Sequence, residues 1–260
     1  MRIATFNVNS VKARLPNVVD WLNAARPDVA LLQEIKTPPE GFPFLEFEAA
    51  GYRCVVHGQK AYNGVAILAR GELGPIEDVV EGLPEGNGDD HARYVEATVA
   101  GVRVASIYLP NGNPVGTEKF SYKLAWMDRL IAHARALLDS ERPVVLGGDY
   151  NVCPTDDDLW DPVAMANDAL VQPETRSRFR ALLHLGYTDA WRALHLEERH
   201  QFSYWDYQAG RWQKDEGLRI DHLLLSPQAA DRLVDCQIDR QPRAMPKASD
   251  HTPVWVELST

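Results

Sequence analysis

The sequence predicts an α/β (α+β) chain built as two packed β-sheets with helices outside. Three observations carry this. Apolar runs of strand length recur along the whole chain, some joined by hairpin signals. Helical periodicity is confined to a few stretches. No Gly-, Pro- or Ser-rich linker and no low-complexity segment separates two cores, so the 260 residues read as one domain, 1–260.

The elements follow in order. Ile3–Val8 is the first strand. From Pro16 to Arg26, Val18, Val19, Leu22 and Ala25 fall at helical spacing behind an early proline. Val29–Gln33, Tyr52–His57 and Gly64–Ala69 are strand-like. Gly82–Asp90, rich in glycine and acid, reads as an exposed loop. Tyr94–Val99 and Val102–Leu109 flank Ala100-Gly101, a hairpin signal. Thr117–Asp139 places Phe120, Leu124, Met127, Ile131, Ala134 and Leu138 at steps of three and four, an amphipathic helix of about six turns. Pro143–Leu146 is a short apolar strand, and Thr175–Leu185 a second helix ended by Gly186. Phe202–Tyr207, Leu218–Ser226, Val234–Asp239 and His251–Leu258 complete the strands, with a short helix after Pro227. The element order allows a weak internal two-fold that the sequence by itself does not establish.

Composition narrows the function. With 45% hydrophobic and 25% charged residues the chain is an ordinary globular one. No long uncharged apolar run predicts a membrane span. The N-terminus reads as a strand rather than a secretory signal. Cys54, Cys153 and Cys236 are odd in number and widely spaced, which fits neither a disulfide framework nor a zinc site. A reducing cytoplasm is the expected compartment. The net charge of −10 argues mildly against nucleic acid, but net charge describes the whole surface and not one face.

Most apolar strands run into polar residues of catalytic kinds. Ile3–Phe6 leads to Asn7-Val8-Asn9, and Val29–Leu32 to Gln33-Glu34-Ile35-Lys36. Val104–Ile107 leads to Tyr108-Leu109-Pro110-Asn111, and Val144–Gly148 to Asp149-Tyr150-Asn151. Leu218–Ile220 leads to Asp221-His222, and Ser249-Asp250-His251 opens the last strand. Taken singly, each has a bland reading: a turn asparagine, a solvated loop start, a half-buried tyrosine. Gathered at one edge of the sheets, they make a pocket of carboxylates, amides, a phenol and an imidazole. Strand ends on a rigid scaffold are where such residues belong.

These segments, with Phe202-Ser203-Tyr204-Trp205-Asp206-Tyr207 and Pro154-Thr155-Asp156, resemble the exonuclease III family of abasic-site (AP) endonucleases, within the endonuclease/exonuclease/phosphatase superfamily. The likeness runs from residue 3 to residue 256. It implies a four-layered α/β sandwich, with two mostly antiparallel sheets face to face and helices on both outer sides. It also implies hydrolysis of a phosphodiester by in-line attack of water at phosphorus, aided by a metal that spreads the developing charge. Glu34 would be the main ligand of Mg²⁺ or Mn²⁺, beside Asn7. Asp149 would position or deprotonate the water and Asn151 orient the same group. His251, oriented by Asp221, would donate to a phosphate oxygen. Tyr108 would hydrogen-bond the phosphate or assist the leaving group, and Asp250 would help bind metal or protonate the leaving 3′ oxygen. The metal set is then Asn7, Glu34, Asp149, Asn151 and Asp250.

Charge distribution agrees. Lys12, Arg14, Lys36, Arg243 and Lys247 stand beside the motif loops, and Arg176, Arg178 and Arg180 form a further patch. Together they predict a basic rim for duplex phosphates around an acidic centre. Asn9, Arg14, Lys36, Asn111, Tyr204 and Trp205 are the DNA-contact candidates. Tyr204 and Trp205 fall where relatives place aromatics around a flipped-out abasic sugar. The expected partner is double-stranded DNA with abasic sites or blocked 3′ ends, with no membrane, and the resemblance implies a monomer. The expected activity is incision 5′ to abasic sites with 3′ phosphatase, 3′ diesterase and 3′→5′ exonuclease action in base excision repair. The alternatives are the same centre acting mainly at 3′ ends, or on another phosphoester such as RNA. A non-catalytic DNA-binding protein is disfavoured by the complete set Glu34, Asp149, Asn151, Asp221, Asp250 and His251.

Overall fold

The computed structural model describes residues 1–86 and 88–259. Along the chain the elements are β1 (Arg2–Asn7), α1 (Leu15–Ala25), β2 (Val29–Gln33), α2 (Phe44–Ala49), β3 (Tyr52–His57), β4 (Val65–Arg70), β5 (Ile76–Glu81), β6 (Tyr94–Val99) and β7 (Val102–Tyr108). Then come α3 (Glu118–Leu138), β8 (Val144–Asp149), α4 (Pro173–His184), β9 (Thr188–Asp189), α5 (Ala190–Leu194), α6 (Arg211–Lys214), β10 (Asp221–Leu225), α7 (Pro227–Ala230), β11 (Leu233–Ile238) and β12 (Val254–Leu258).

The strands form two six-stranded sheets, β3-β4-β2-β1-β12-β11 and β5-β6-β7-β8-β10-β9. Each is antiparallel except for one central parallel pair, β1 with β2 and β7 with β8. With the second sheet read from β9 to β5, the two sheets share their strand senses and the chain order of their strands, β1-β2-β3-β4 against β7-β8-β9-β10. The internal two-fold is therefore present in the topology.

Side-chain alternation builds the layers. Ile3 faces inward and Ala4 outward on β1; Leu31 faces inward and Ala30 and Leu32 outward on β2. Ile3, Leu31 and Ile67 from one sheet meet Val104, Val145 and Leu223 from the other in the central core. Trp21 and Leu22 of α1 and Phe47 of α2 cover one outer face. Trp126 and Leu130 of α3, with Phe179 and Leu182 of α4, cover the other. The result is the four-layered α/β sandwich that the resemblance implied.

The Ala100-Gly101 hairpin is formed, with both residues at positive φ. The segment Phe202–Tyr207 is not a strand; only Tyr204 makes isolated bridges, to Leu218 and His251. Serine side chains take up local backbone groups there, with Ser203 Oγ accepting from the amides of Ile220 and Asp221. The sequence reading also missed β5, whose side chains are mostly exposed and carry no apolar alternation. No helix of the described residues is long and apolar enough to cross a membrane.

Candidate active site

The two parallel strand pairs end at the same edge. Asn7 pairs with Gln33 at the end of β1 and β2, and Tyr108 with Asp149 at the end of β7 and β8. Asp221, first residue of β10, lies in register with Asp149. A buried polar tie joins the sheets just beneath: Gln33 accepts from Thr5 Oγ1 at 3.1 Å and donates to Ser106 Oγ at 3.0 Å. Gln33 is thus a structural link between the sheets, and Glu34 is the residue that reaches the cleft.

Past the strand ends the chain turns sharply. Asn9, Glu34, Lys36 and Asn151 all adopt left-handed backbone, at φ between 44° and 55°. Non-glycine residues seldom sit there, and clusters of them mark positions that the surrounding structure over-determines. Gly148 shows why glycine precedes Asp149. A Cβ at Gly148 would lie 2.0 Å from the Ile107 carbonyl oxygen.

Asn7 binds the centre together. Its Nδ2 donates to Glu34 Oε1 and to Asp149 Oδ2, each at 2.9 Å. The other Asp149 oxygen accepts from the Asn151 backbone amide at 2.9 Å. The Asn151 side chain donates to the Leu109 carbonyl at 2.9 Å and accepts from Asn111 at 3.1 Å. His251 Nδ1 lies 2.8 Å from Asp221 Oδ2, and its Nε2 faces Asp149 Oδ2 at 3.7 Å. Ser203 Oγ donates to the same Asp221 oxygen at 2.6 Å, fixing the carboxylate plane. Lys36 reaches Glu34 Oε2 at 2.9 Å and Asn9 Oδ1 at 2.6 Å, and Asn9 donates to Asp250 at 3.0 Å.

Electrostatics follow from this crowding. Burial raises the Asp149 carboxyl to about 7, with Asp221 and Glu34 adding repulsion and His251 opposing. Burial alone would lower His251, but Asp221 and Asp149 outweigh it and raise the imidazole to about 10. Burial would also raise Glu34, yet the Asn7 hydrogen bond and the Lys36 ammonium hold it below its ordinary value. Burial, then the charges of Glu34 and Asp149, push the Tyr108 hydroxyl well above the phenol range. Atoms of Glu34, Asp149 and His251 all lie within 4.8 Å of one another, and with His251 held protonated the two carboxylates are the ligands of that set. Hard oxygen donors and uncompensated negative charge suit a divalent cation such as Mg²⁺.

The centre opens into a cleft of about 400 Å³. Glu34, Tyr108, Asn111, Asp149, Asn151, Tyr204, Asp250 and His251 line it. Asn7 and Asp221 are buried behind these residues, and Asn9 and Lys36 stand beside Glu34 and Asp250. Arg14 is further out, donating to the Tyr207 hydroxyl at 3.0 Å.

Three expectations need correction. Trp205 is fully buried and does not line the cleft; it packs edge-on against Phe202 and Trp212, and its Nε1 donates to Asp215 at 3.0 Å. Arg243 is buried, donating to the Trp205 carbonyl at 3.1 Å, and is not part of a basic rim. Arg176 and Arg178 are paired with Asp156 and Asp128.

Other parts of the site were not legible beforehand. Trp160, Met165, Leu170 and Leu218 form an apolar wall of the cleft. The Arg93 guanidinium covers the Tyr108 ring at 4.7 Å. Lys123 of α3 is fully buried and donates to the carbonyls of Asn111 at 3.1 Å and Asn151 at 2.6 Å. Burial lowers its ammonium to about 7. Lys123 falls on the apolar-step helix and had no signal beyond a polar residue one turn before Met127.

Comparison with known proteins agrees with this geometry. The sequence model of the Endonuclease/Exonuclease/phosphatase family matches residues 4–251. The chain is 33% identical to exodeoxyribonuclease III of Haemophilus influenzae, over 99% of this chain and 100% of that protein. It superposes on an AP endonuclease from Archaeoglobus fulgidus with a TM-score of 0.95 at 36% identity, covering 100% of both chains. A 3′ phosphatase from Neisseria, solved with a product DNA hairpin, gives a TM-score of 0.95 at 39% identity, again over 100% of both chains. By the extent of these matches, this chain belongs to the endonuclease/exonuclease/phosphatase family.

Proposed function

We propose that this chain is a single catalytic domain, a metal-dependent phosphodiesterase that incises duplex DNA 5′ to abasic sites and trims blocked 3′ ends. The observation that carries the reading is the shared Asn7 amide. It holds Glu34 and Asp149 from opposite sheets on one side of the cleft, while the Asp221–His251 pair faces Asp149. Relatives named as an exodeoxyribonuclease, an AP endonuclease and a 3′ phosphatase support both the substrate and the range of ends processed.

Glu34 and Asn7, with Asp149, Asn151 and Asp250 within reach, would hold Mg²⁺ or Mn²⁺. When bound, the cation spreads the negative charge that develops on phosphate during in-line attack. Asp149, its carboxyl raised toward neutrality, takes a proton from the attacking water, which Asn151 orients. His251, kept protonated by Asp221, donates through Nε2 to a non-bridging phosphate oxygen. The Tyr108 hydroxyl, which burial keeps protonated, donates to the same phosphate. Asp250, held by the Asn9 amide, would help bind the cation or relay a proton from solvent water to the leaving 3′ oxygen. The apolar wall and Tyr204 pack a sugar that lacks its base. Asn9, Arg14, Lys36 and Asn111 contact the backbone on either side.

The test is cleavage of a duplex with one tetrahydrofuran abasic site, with Mg²⁺ and with EDTA, beside a duplex ending in a 3′ phosphate. Incision that EDTA abolishes supports the endonuclease. Release of phosphate alone would restrict the enzyme to 3′ ends, and inertness toward both would sink the DNA reading.

A further inference from the structure

The cleft is poor in cations for an enzyme that handles a polyanion. Six carboxylates line it: Glu34, Asp149, Asp168, Asp206, Glu216 and Asp250. Among its described lining residues Arg211 carries the only guanidinium or ammonium group. That group ion-pairs with Glu216 and lies over the Trp160 ring at 4.3 Å.

The backbone fixes this arrangement. Arg211 opens α6, between left-handed Gly210 and left-handed Asp215. The Glu216 amide donates to the Arg211 carbonyl at 2.9 Å, closing the loop and bringing the two side chains together. The Trp160 amide donates to the Gly217 carbonyl at 3.1 Å, so the stacking ring is tied to the same loop. Trp212, next in the chain, is anchored beneath Arg240 and Arg243. The guanidinium is therefore held in place at the cleft wall before any ligand arrives.

We propose that Arg211 is a phosphate clamp for the bound strand and that Glu216 is the anion that occupies it when DNA is absent. This rests on the reading of the cleft as a DNA phosphodiesterase site. A carboxylate and a phosphate present the guanidinium fork with the same paired oxygens. Both side chains are partly open to solvent, at 30% for Arg211 and 24% for Glu216. A phosphate can therefore reach the fork and displace the Glu216 carboxylate while the Trp160 ring keeps the guanidinium in place. Glu216 then acts as a specificity device. Ligands without a phosphate at that distance from the scissile bond leave the carboxylate in place and gain nothing from Arg211.

A structural pair and a competed clamp behave differently. The measurement is fluorescence anisotropy of a labelled tetrahydrofuran duplex in EDTA across a KCl series, with cleavage in Mg²⁺ run alongside. Arg211→Gln is expected to weaken binding about tenfold and to lower the slope of log affinity against log salt by roughly one. Glu216→Gln is expected to tighten binding several-fold. The double variant should bind like Arg211→Gln alone, and Arg211→Lys should keep most of the salt slope. Weakening by both single variants, or an unchanged slope in Arg211→Gln, would make the pair purely structural and overturn the proposal. Wild-type protein that binds but does not cut this duplex would strike the functional reading alone, because the binding series decides the clamp.

Discussion

Glu34 and Asp149 come from different sheets, yet both accept from the same nitrogen, Nδ2 of Asn7, at 2.9 Å. One primary amide has two protons, and here each goes to a separate carboxylate. Asn7 therefore sets the spacing of the two groups on which a cation and a water would depend. Asn7→Ala should raise the Mg²⁺ concentration at half-maximal rate by about 10–100-fold, the range seen when a group orienting metal ligands is lost. A magnesium titration of the cleavage rate checks it; an unchanged midpoint would show that Asn7 does not set the ligand spacing.

The Asp221–His251 pair gives a pH prediction. His251 is raised to about 10, so in the folded enzyme it stays protonated through neutrality. Asp221 supplies much of that stabilisation, at 2.8 Å from Nδ1. Asp221→Asn removes the charge while keeping an acceptor, so the imidazole should fall toward the value burial alone dictates. The alkaline limb of the rate profile should move to lower pH by more than about one unit, and the rate at pH 8 should drop by roughly 100-fold. A profile that keeps its alkaline limb would remove His251 as the proton donor.

Gly148 ties sequence to geometry through sterics. A Cβ there meets backbone, the Ile107 oxygen at 2.0 Å and its carbonyl carbon at 2.7 Å, and backbone cannot swing away as a side-chain tip can. Gly148→Ala should cost about 3 kcal/mol or more. The thermal midpoint should fall by roughly 10 °C or the protein should fail to accumulate. A midpoint within a degree or two of wild type would mean that β7 and β8 separate more easily than their register implies.

Away from the cleft, Glu96 makes an acid-stability prediction. It is buried on β6, where His133, Tyr94 and Arg103 hydrogen-bond its carboxylate. Burial would raise it, but these partners outweigh burial and lower it from 4.5 to about 2. A depressed carboxyl adds stability above its unfolded value and loses it as pH falls through the folded value. The contribution, about 3 kcal/mol, should be complete above pH 4.5 and gone near pH 2. Denaturant unfolding from pH 6 to pH 2 should show a shallower loss in Glu96→Gln than in wild type, and parallel curves would count against it.

Much of this site was legible because strand ends are local signals. Asn7, Glu34, Tyr108, Asp149, Asp221 and His251 each follow or begin an apolar run, and such runs can be read residue by residue. The apolar wall and Arg211 were not legible, because Trp160 and Met165 come from irregular segments and Arg211 opens a helix of 4 residues, too short to show a period. Long-range pairing also removed Arg176 and Arg178 from the expected basic rim. Arg178 meets Asp128 across 50 positions of sequence, and nothing near either residue announces the other.

Tyr204 and Trp205 show the same limit and allow a clean separation of roles. The two neighbouring aromatics take opposite sides of the chain, so only one of them lines the cleft. Tyr204 bridges His251, packs against its ring at a tilt with centroids 4.9 Å apart, and lines the cleft. Trp205 points the other way, against Trp212, with Arg240 over its ring at 4.8 Å. Trp205→Ala should therefore remove core volume, costing about 3–5 kcal/mol and roughly 10 °C of thermal midpoint. Tyr204→Ala should leave the midpoint nearly where it is and raise KM for the tetrahydrofuran duplex about tenfold, the scale of one lost aromatic contact. Melting curves and steady-state kinetics on the two variants decide it. If Trp205→Ala raised KM without lowering the midpoint, the buried indole would have to be reached by substrate after all, and the packing of the Phe202–Tyr207 segment described above would be wrong.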